Sequence, residues 1–254
     1  MKININVENP FGADRYGFLW EKLTLLNKGK HLDYGAFDGQ LLKQLSLSRV
    51  ISQGVGVDVN SSINKYAKTM PENVWLTPIA KGSKLPFKDE SFDSVSILDV
   101  IEHIYDQKFV LLELNRVLKT GGKLIITVPH RHILSFLDLG NFKFIFPNLH
   151  RIFYTLKYSQ QAYYQRYVEC KNGLFGDIEI EKMWHQHFSK SELSILLAEC
   201  GFKTLEFDGS GLFTRVLFFL DLLFPFKNKT FEKIKDMDDK TFHHVNLFCM
   251  AEKH

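Results

Sequence analysis

From Lys30 to Pro129 the apolar residues change period repeatedly, from the alternation or unbroken run of a strand to the three-and-four spacing of a helix and back again. Strands separated by helix-length segments cannot pair through hairpins, so they have to run parallel and be joined by right-handed crossovers. KHLDY, Lys30 to Tyr34, is followed by GAFDG and then LLKQL, which reads as strand, tight turn and helix. VISQGVGVDV is a second strand ending at Asp58 and Val59. Asn60 or Ser61 is placed after it to cap a helix that carries Ile63, Tyr66 and Ala67. A short third strand at Asn73 to Leu76 leads into KGSKLPFKDE, whose Gly82, Pro86 and charges mark an exposed loop.

SFDSVSILDV is apolar enough for a parallel strand covered on both faces. A helix is predicted from Asp106 to Leu118 on the stripe Phe109, Leu112, Leu114 and Val117, with Gly121-Gly122 as its stop, and KLIITVP gives a fifth strand. From Arg131 to Met183 the alternation stops and aromatic-rich text such as FLDLGNFKFIFPNLHRIFYTLKY takes its place, read here as an inserted substrate cover. Alternation returns with SKSELSILLAEC, Ser189 to Cys200, where Ser189 and Glu192 have capping-box spacing and Gly201 is the stop. FKTLEF and TFHHVNLFCMAEK supply the last strands. The fold class expected is α/β: a Rossmann-like, doubly wound sheet of seven mostly parallel strands, with helices on both faces and an aromatic-rich insertion after strand 5.

A chain of 254 residues, 45% hydrophobic, can bury one substantial core. One domain over 1–254 is therefore expected, with its core at about 28–130 and 187–254 and the insertion at about 131–186. A net charge of +3, spread along the chain without a basic block, argues against nucleic acid as partner. Cys170, Cys200 and Cys249 are far apart and lack CxxC spacing, which suggests neither a zinc site nor a disulfide framework. The N-terminus has no continuous apolar signal region, so a cytoplasmic protein is expected. LFTRVLFFLDLLFPF is strongly apolar, but it is interrupted by Arg215 and Asp221 and closed by Pro225, too short for the roughly 20 residues of a membrane span. It reads as a packed helix, with a peripheral membrane contact through 212–226 as the alternative.

The turn Asp33-Tyr34-Gly35-Ala36-Phe37-Asp38-Gly39 lies where a doubly wound sheet opens its ligand crevice. Gly35 permits a tight turn, Gly39 lets the next helix start close to a ligand, and Asp33 can accept from an ammonium group or orient the loop. Phe37 stands where a middle glycine would be. Asp58 follows the turn by about 20 residues, the separation that puts a carboxylate on ribose hydroxyls. Both features also have a plain structural reading, as a tight turn and as a helix cap.

Taken together, LDYGAFDG, GVDVN, LPFKDESFDSVSILDVIEHI and LNRVLKTGGKLIITVPH resemble the ordered motifs of class I S-adenosylmethionine-dependent methyltransferases, in particular the methyltransferase type 11 group. The resemblance spans roughly residues 28–130, and HQHFSKSELSILLAECGF is similar to the helix and sixth strand near the end of the same family. It implies that Asp33, Gly35, Ala36 and Gly39 line the methionine moiety of S-adenosylmethionine, that Asp58 holds the ribose and that Val59 packs on the adenine. The loop Ala80 to Ser83 would face the adenine edge, where Ala80 and Lys81 stand in place of the acid found in many relatives. Asp99, ending the fourth strand, would face the methyl-transfer centre. No metal is implied.

Methyl transfer from a sulfonium asks the protein mainly to align a nucleophile and exclude water. O-methylation is the expected reaction, and a hydroxyl acceptor is helped by a base near neutral pKa. His130 after the fifth strand is the favoured base. His103 after the fourth, His132, His185 and His187 are the other candidates. His103 also reads as a supporting residue in the Glu102-His103 turn. His185 and His187 share the spacing of a metal pair, but nothing completes a ligand set. Phe136, Phe142, Phe144, Phe146, Tyr154, Tyr158, Tyr163 and Tyr164 gather after the fifth strand, where such folds build substrate pockets, so an apolar or amphipathic small molecule, or a glycan- or lipid-linked one, is the expected acceptor. Two rival readings remain: a non-catalytic binding protein of the same fold, which Phe37 and the missing adenine-loop acid would suit, and a nicotinamide-dependent reductase, which the absent G-x-G-x-x-G disfavours.

Overall fold

The structure, a computed structural model, describes residues 13–135, 143–165, 168, 186–213, 216–217, 220 and 229–254. Seven strands form one sheet: β1 Lys30–Tyr34, β2 Gln53–Asp58, β3 Val74–Pro78, β4 Phe92–Leu98, β5 Leu118–Pro129, β6 Phe202–Ser210 and β7 Asn246–Lys253. Their spatial order is β3-β2-β1-β4-β5-β7-β6. Only β7 runs antiparallel, to β5 on one side and to β6 on the other, so six of the seven strands share one direction. The expected doubly wound, mostly parallel sheet is what the chain forms.

Eight described helices accompany the sheet: α1 Ala13–Leu25, α2 Gln40–Leu47, α3 Asn64–Ala67, α4 Gln107–Val117, α5 Pro147–Lys157, α6 Gln160–Tyr164, α7 Lys190–Glu199 and α8 Lys229–Thr241. The sheet separates two apolar clusters. On one face, strand residues such as Leu32, Val95 and Ile97 pack with Val110, Leu111 and Leu114 of α4 and with Leu193 and Leu197 of α7. On the other, Leu98, Ile125 and Phe248 pack with Leu41, Leu42 and Leu45 of α2 and with Phe18, Leu19 and Leu23 of α1. Alternate residues of each central strand thus point to opposite layers, which is why β4 is buried almost without a break.

Several boundaries follow the residues that were expected to set them. Asn60 accepts from the Ser62 amide at 2.9 Å and opens a 3-10 turn, Ser61–Ile63, leading into α3. Ser189 and Glu192 complete a capping box at α7, and Gly201, with φ of 79°, ends it. Other boundaries differ. Gly121-Gly122 does not stop α4, which ends at Val117. The chain is already strand from Leu118, and Gly121, with φ of 75°, sits in a bulge where the pairing jumps from Phe92–Leu118 to Ser94–Lys123. α1 was not foreseen, although Tyr16, Leu19, Trp20 and Leu23 have helical spacing. Cys200 and Cys249 are buried free thiols.

No helix among the described residues is long and apolar enough to cross a membrane. The apolar segment at 212–226 lies largely outside the described residues, as do Phe136, Phe142 and Cys170. The described part of the aromatic insertion consists of α5 and α6.

Candidate functional site

Strand order reverses between β1 and β4: from β1 the chain moves outward to β2 and β3, then returns to the other side with β4 and β5. The carboxyl ends of β1 and β4 therefore flank the crevice in which a doubly wound sheet takes ligands. Gly35 follows β1 there, and Asp99 follows β4.

The turn after β1 is built from backbone bonds. The Gly35 and Ala36 amides donate to the Val57 carbonyl at 2.8 and 3.0 Å, and the Gly39 amide donates to the Ala36 carbonyl at 2.8 Å. Gly35 and Gly39 have φ of 86° and 70°, where a side chain is strained. A Cβ on Gly35 would stand 2.4 Å from Val100 Cγ2, and one on Gly39 would stand 2.8 Å from Leu76 Cδ1. Gly35→Ala is accordingly expected to cost about 2–4 kcal/mol, the sum of a left-handed backbone and an overpacked contact. An unchanged urea midpoint for that variant would show that the turn has room for a side chain.

Phe37 also takes positive φ, 51°, and its ring is 41% exposed, 6.3 Å from the ring of Tyr66. Its amide donates to Asp58 Oδ2 at 2.9 Å, while Asp58 Oδ1 accepts from the Asn60 amide at 2.9 Å. The partly buried Asp58 carboxylate is thereby fixed beside the glycine turn, with both oxygens retaining a free lone pair. Val59 is 36% exposed. The Ile79 amide donates to the Asp58 carbonyl at 2.9 Å, which brings the loop of Ala80, Lys81 and Gly82 alongside. Ala80 and Lys81 are exposed, and the Ala80 carbonyl accepts from the Ser83 amide and hydroxyl at 3.2 and 2.6 Å.

Asp33 is held by a device that sequence reasoning missed. β1 and β4 pair in parallel with His31 opposite Ser94 and Asp33 opposite Ser96. The Ser96 hydroxyl donates to Asp33 Oδ1 at 2.6 Å, which uses its only proton. His31 Nε2, 2.9 Å from the same oxygen, must then be the donor to it, and Nδ1 accepts from Ser94 at 2.8 Å. All four side chains are buried. Burial pushes the His31 pKa down to about 3, so the ring is neutral, and the bonds run in one direction, Ser94 to His31 to Ser96 to Asp33. The visible sign was the parity of Ser94 and Ser96 in an otherwise apolar strand.

Burial, with the like charge of Asp58 on β2, raises Asp33 to about 6 against the opposing Ser96 bond and the Arg15 charge from α1. The folded protein therefore holds this proton to higher pH than the unfolded chain. Its contribution to stability is present below the unfolded pKa near 4 and is lost as pH rises through about 6. Binding of an ammonium ligand has the opposite sense and needs the ionised form. Affinity for an amino-acid-bearing nucleoside is expected to rise by up to about tenfold per pH unit toward a plateau above 6. Ser96→Ala should move that midpoint upward and Asp33→Asn should flatten the curve, as titration calorimetry across pH would show.

Asp99 has φ of 51°, and its amide donates to the carbonyl and Oγ1 of Thr127 at 3.0 and 3.1 Å. Thr127 Oγ1 donates back to Asp99 Oδ1 at 2.6 Å. Arg15 of α1, half-buried and held cationic by Asp99 and Tyr16, donates to Asp99 Oδ2 and, at 3.2 Å, to the Tyr16 hydroxyl. Arg15 had no signal in the sequence, since it lies outside every motif.

The histidines do not form one group. His130, directly after the carboxyl end of β5, pairs its backbone with Phe188 and Val245. Its Nδ1 lies 3.0 Å from the His244 carbonyl and must donate to it, leaving the Nε2 lone pair available. Burial lowers the His130 pKa, so the ring is a neutral base near pH 7. His132 turns inward on its own loop, with Nδ1 accepting from the Leu134 amide at 3.2 Å. His103 closes the 3-10 turn Ile101–His103, with Nε2 4.0 Å from the fully buried Glu102. His187 lies next to Phe188, and His185 falls outside the described residues.

Comparison with known proteins places these residues in context. The protein-family model for the methyltransferase domain matches residues 32–126. An uncharacterized protein, MJ1123, of Methanocaldococcus jannaschii is 38% identical over 104 residues, 41% of this chain and 46% of its own. The ubiquinone/menaquinone biosynthesis C-methyltransferase UbiE of Pseudoalteromonas translucida is 31% identical over 139 residues, 49% of this chain and 54% of its own. The chain thus spans about half the length of the curated relatives it matches. Among solved structures, the [4+2]-cyclase SpnF superposes with a TM-score of 0.58 at 17% identity, covering 95% of this chain and 81% of that one, a likeness of fold alone. Family match and fold agree: residues 32–126 match the methyltransferase-domain model, and they lie within a sheet of doubly wound, mostly parallel order.

Proposed function

We propose that this protein transfers a methyl group from S-adenosylmethionine to a small, apolar or amphipathic acceptor. The observation that carries the reading is the bond from the Phe37 amide to Asp58 at 2.9 Å, which locks the glycine turn and the acid ending β2 into one cradle at the switch point of the sheet. The cradle fits the cofactor's polar parts. Asp58 offers acceptors for a ribose diol, Asp33 a buried carboxylate for the ammonium, and Gly35 and Gly39 let the backbone approach. The exposed backbone of Ala80 and Lys81 is what remains to meet an adenine edge. S-adenosylmethionine, when bound, supplies an electrophilic methyl group on sulfur. The chain's own residues have only to hold an acceptor in line with it, keep water out and take a proton.

His130 suits the last of these tasks. Its fixed tautomer presents Nε2 as an acceptor just beyond the carboxyl end of β5, the strand whose Thr127 bonds Asp99. An acceptor hydroxyl losing its proton to Nε2 gives O-methylation. UbiE is named as a C-methyltransferase, and the same base would serve an enolisable carbon. Thermal unfolding separates the cofactor classes. S-adenosylhomocysteine should raise the transition temperature and NADH should not, because a ligand of the native state stabilises by mass action. A shift with NADH alone would replace the methyltransferase reading by the reductase one. Mass spectrometry of products from phenolic and quinol acceptors then tells O- from C-methylation.

A further inference from the structure

The insertion helix α5 is inside out. Its buried and half-buried side carries His150, Phe153 and Tyr154; the rings of His150, Tyr154 and Tyr163 lie 5.8–6.0 Å apart where α5 meets α6, and Tyr158 lies 4.7 Å from Tyr154. The aliphatic residues face outward instead: Leu149, Ile152 and Leu156, spaced at three and four, are 42%, 55% and 79% exposed. Ile145 and Phe146 extend the stripe at 52% and 53%. A helix hairpin ordinarily buries its aliphatics and wets its histidines and tyrosines, so a continuous apolar stripe on the outside marks a surface built to meet something apolar.

The charge around the stripe selects the partner. Across residues 143–165, the described part around the stripe, the sequence has three cations, Lys143, Arg151 and Lys157, and no aspartate or glutamate. A second copy of the chain seated on the stripe would bring two such sets of cations together. An anionic lipid surface instead accepts both features, the aliphatics among acyl chains and the cations among headgroups. Exposed tyrosines, Tyr158 just after α5 and Tyr164 at the end of α6, suit the interfacial layer. We infer that α5 docks this protein on the surface of an anionic membrane, lying in the plane of the interface with Leu149, Ile152 and Leu156 inserted. The contact lies on the insertion helix, a different stretch of sequence from the 212–226 segment whose hydropathy suggested a membrane contact, and it does not depend on the cofactor reading.

The test is co-sedimentation of the full chain with vesicles of phosphatidylcholine alone and of phosphatidylcholine mixed with phosphatidylglycerol, at low and high salt. The expected result is partition onto the mixed vesicles, weakened by salt, and reduced about tenfold or more in the triple variant Leu149→Ser, Ile152→Ser, Leu156→Ser. Arg151→Glu should reduce it without altering the stripe. Circular dichroism melting of each variant checks the fold. Failure of the wild type to bind mixed vesicles, or equal binding by the folded triple variant, would overturn the inference. So would a concentration-dependent dimer that the triple variant abolishes, since it would assign the stripe to a second copy.

Discussion

Asp58→Ala is expected to weaken S-adenosylhomocysteine binding by about a hundredfold to ten-thousandfold. Each oxygen of this carboxylate already takes one backbone amide, from Phe37 and from Asn60, and keeps a lone pair for a ligand hydroxyl. Hydrogen bonds to an ionised acceptor are worth about 1.5–3 kcal/mol each, so two of them account for that range. The loss also has a structural part, because the Phe37 amide loses its acceptor and the left-handed turn loses the bond that fixes it. Asp58→Asn separates the two parts. It keeps one acceptor oxygen and should fall between wild type and alanine. Calorimetric titration of the three proteins checks this, with melting curves to show that each is folded. Equal affinities would remove Asp58 from the site.

His130→Gln should lower turnover by about 10²–10⁴ with S-adenosylhomocysteine affinity unchanged. Glutamine preserves a donor toward the His244 carbonyl but has no lone pair basic enough to take a proton at neutral pH. The wild-type rate should rise with pH through the lowered pKa of His130 and then level off, and the variant should lose that step. The rate is followed as release of S-adenosylhomocysteine with saturating acceptor. A variant with full turnover would show that the acceptor arrives already deprotonated or that another group takes the proton.

The parts of the fold that the sequence made legible are those where local chemistry and global packing demand the same residues. The β4 run SVSIL could only be a strand buried on both faces, and S-x-x-E before an apolar run could only be a capped helix start. Gly121-Gly122 misled because glycine serves a helix stop and a strand bulge equally well, and only the register with β4 decides between them. α1 was passed over because its apolar stripe is short and mixed with charge, and its place on the sheet depends on Phe18 meeting Phe248, far along the chain.

The candidate site divides in the same way. Asp58 and the glycine turn were readable because a motif spacing records them, whereas Arg15 and the chain from Ser94 through His31 and Ser96 to Asp33 depend on strand pairing across more than sixty residues. A histidine in KHLDY has no meaning until β4 is laid beside it. The aromatic insertion was read as a cover over the substrate because aromatics are the usual lining of pockets. In the described part of that insertion the rings of Tyr154 and Tyr163 gather around His150 and the aliphatics Leu149, Ile152 and Leu156 face outward, an orientation no composition reveals.

The most direct measurement is isothermal titration of the wild-type protein with S-adenosylhomocysteine at neutral pH, with NADH as the control ligand. The account predicts one-to-one binding in the micromolar range for the first and only heat of dilution for the second. Heat of dilution for both would contradict the cofactor cradle and leave a methyltransferase fold that binds neither nucleotide.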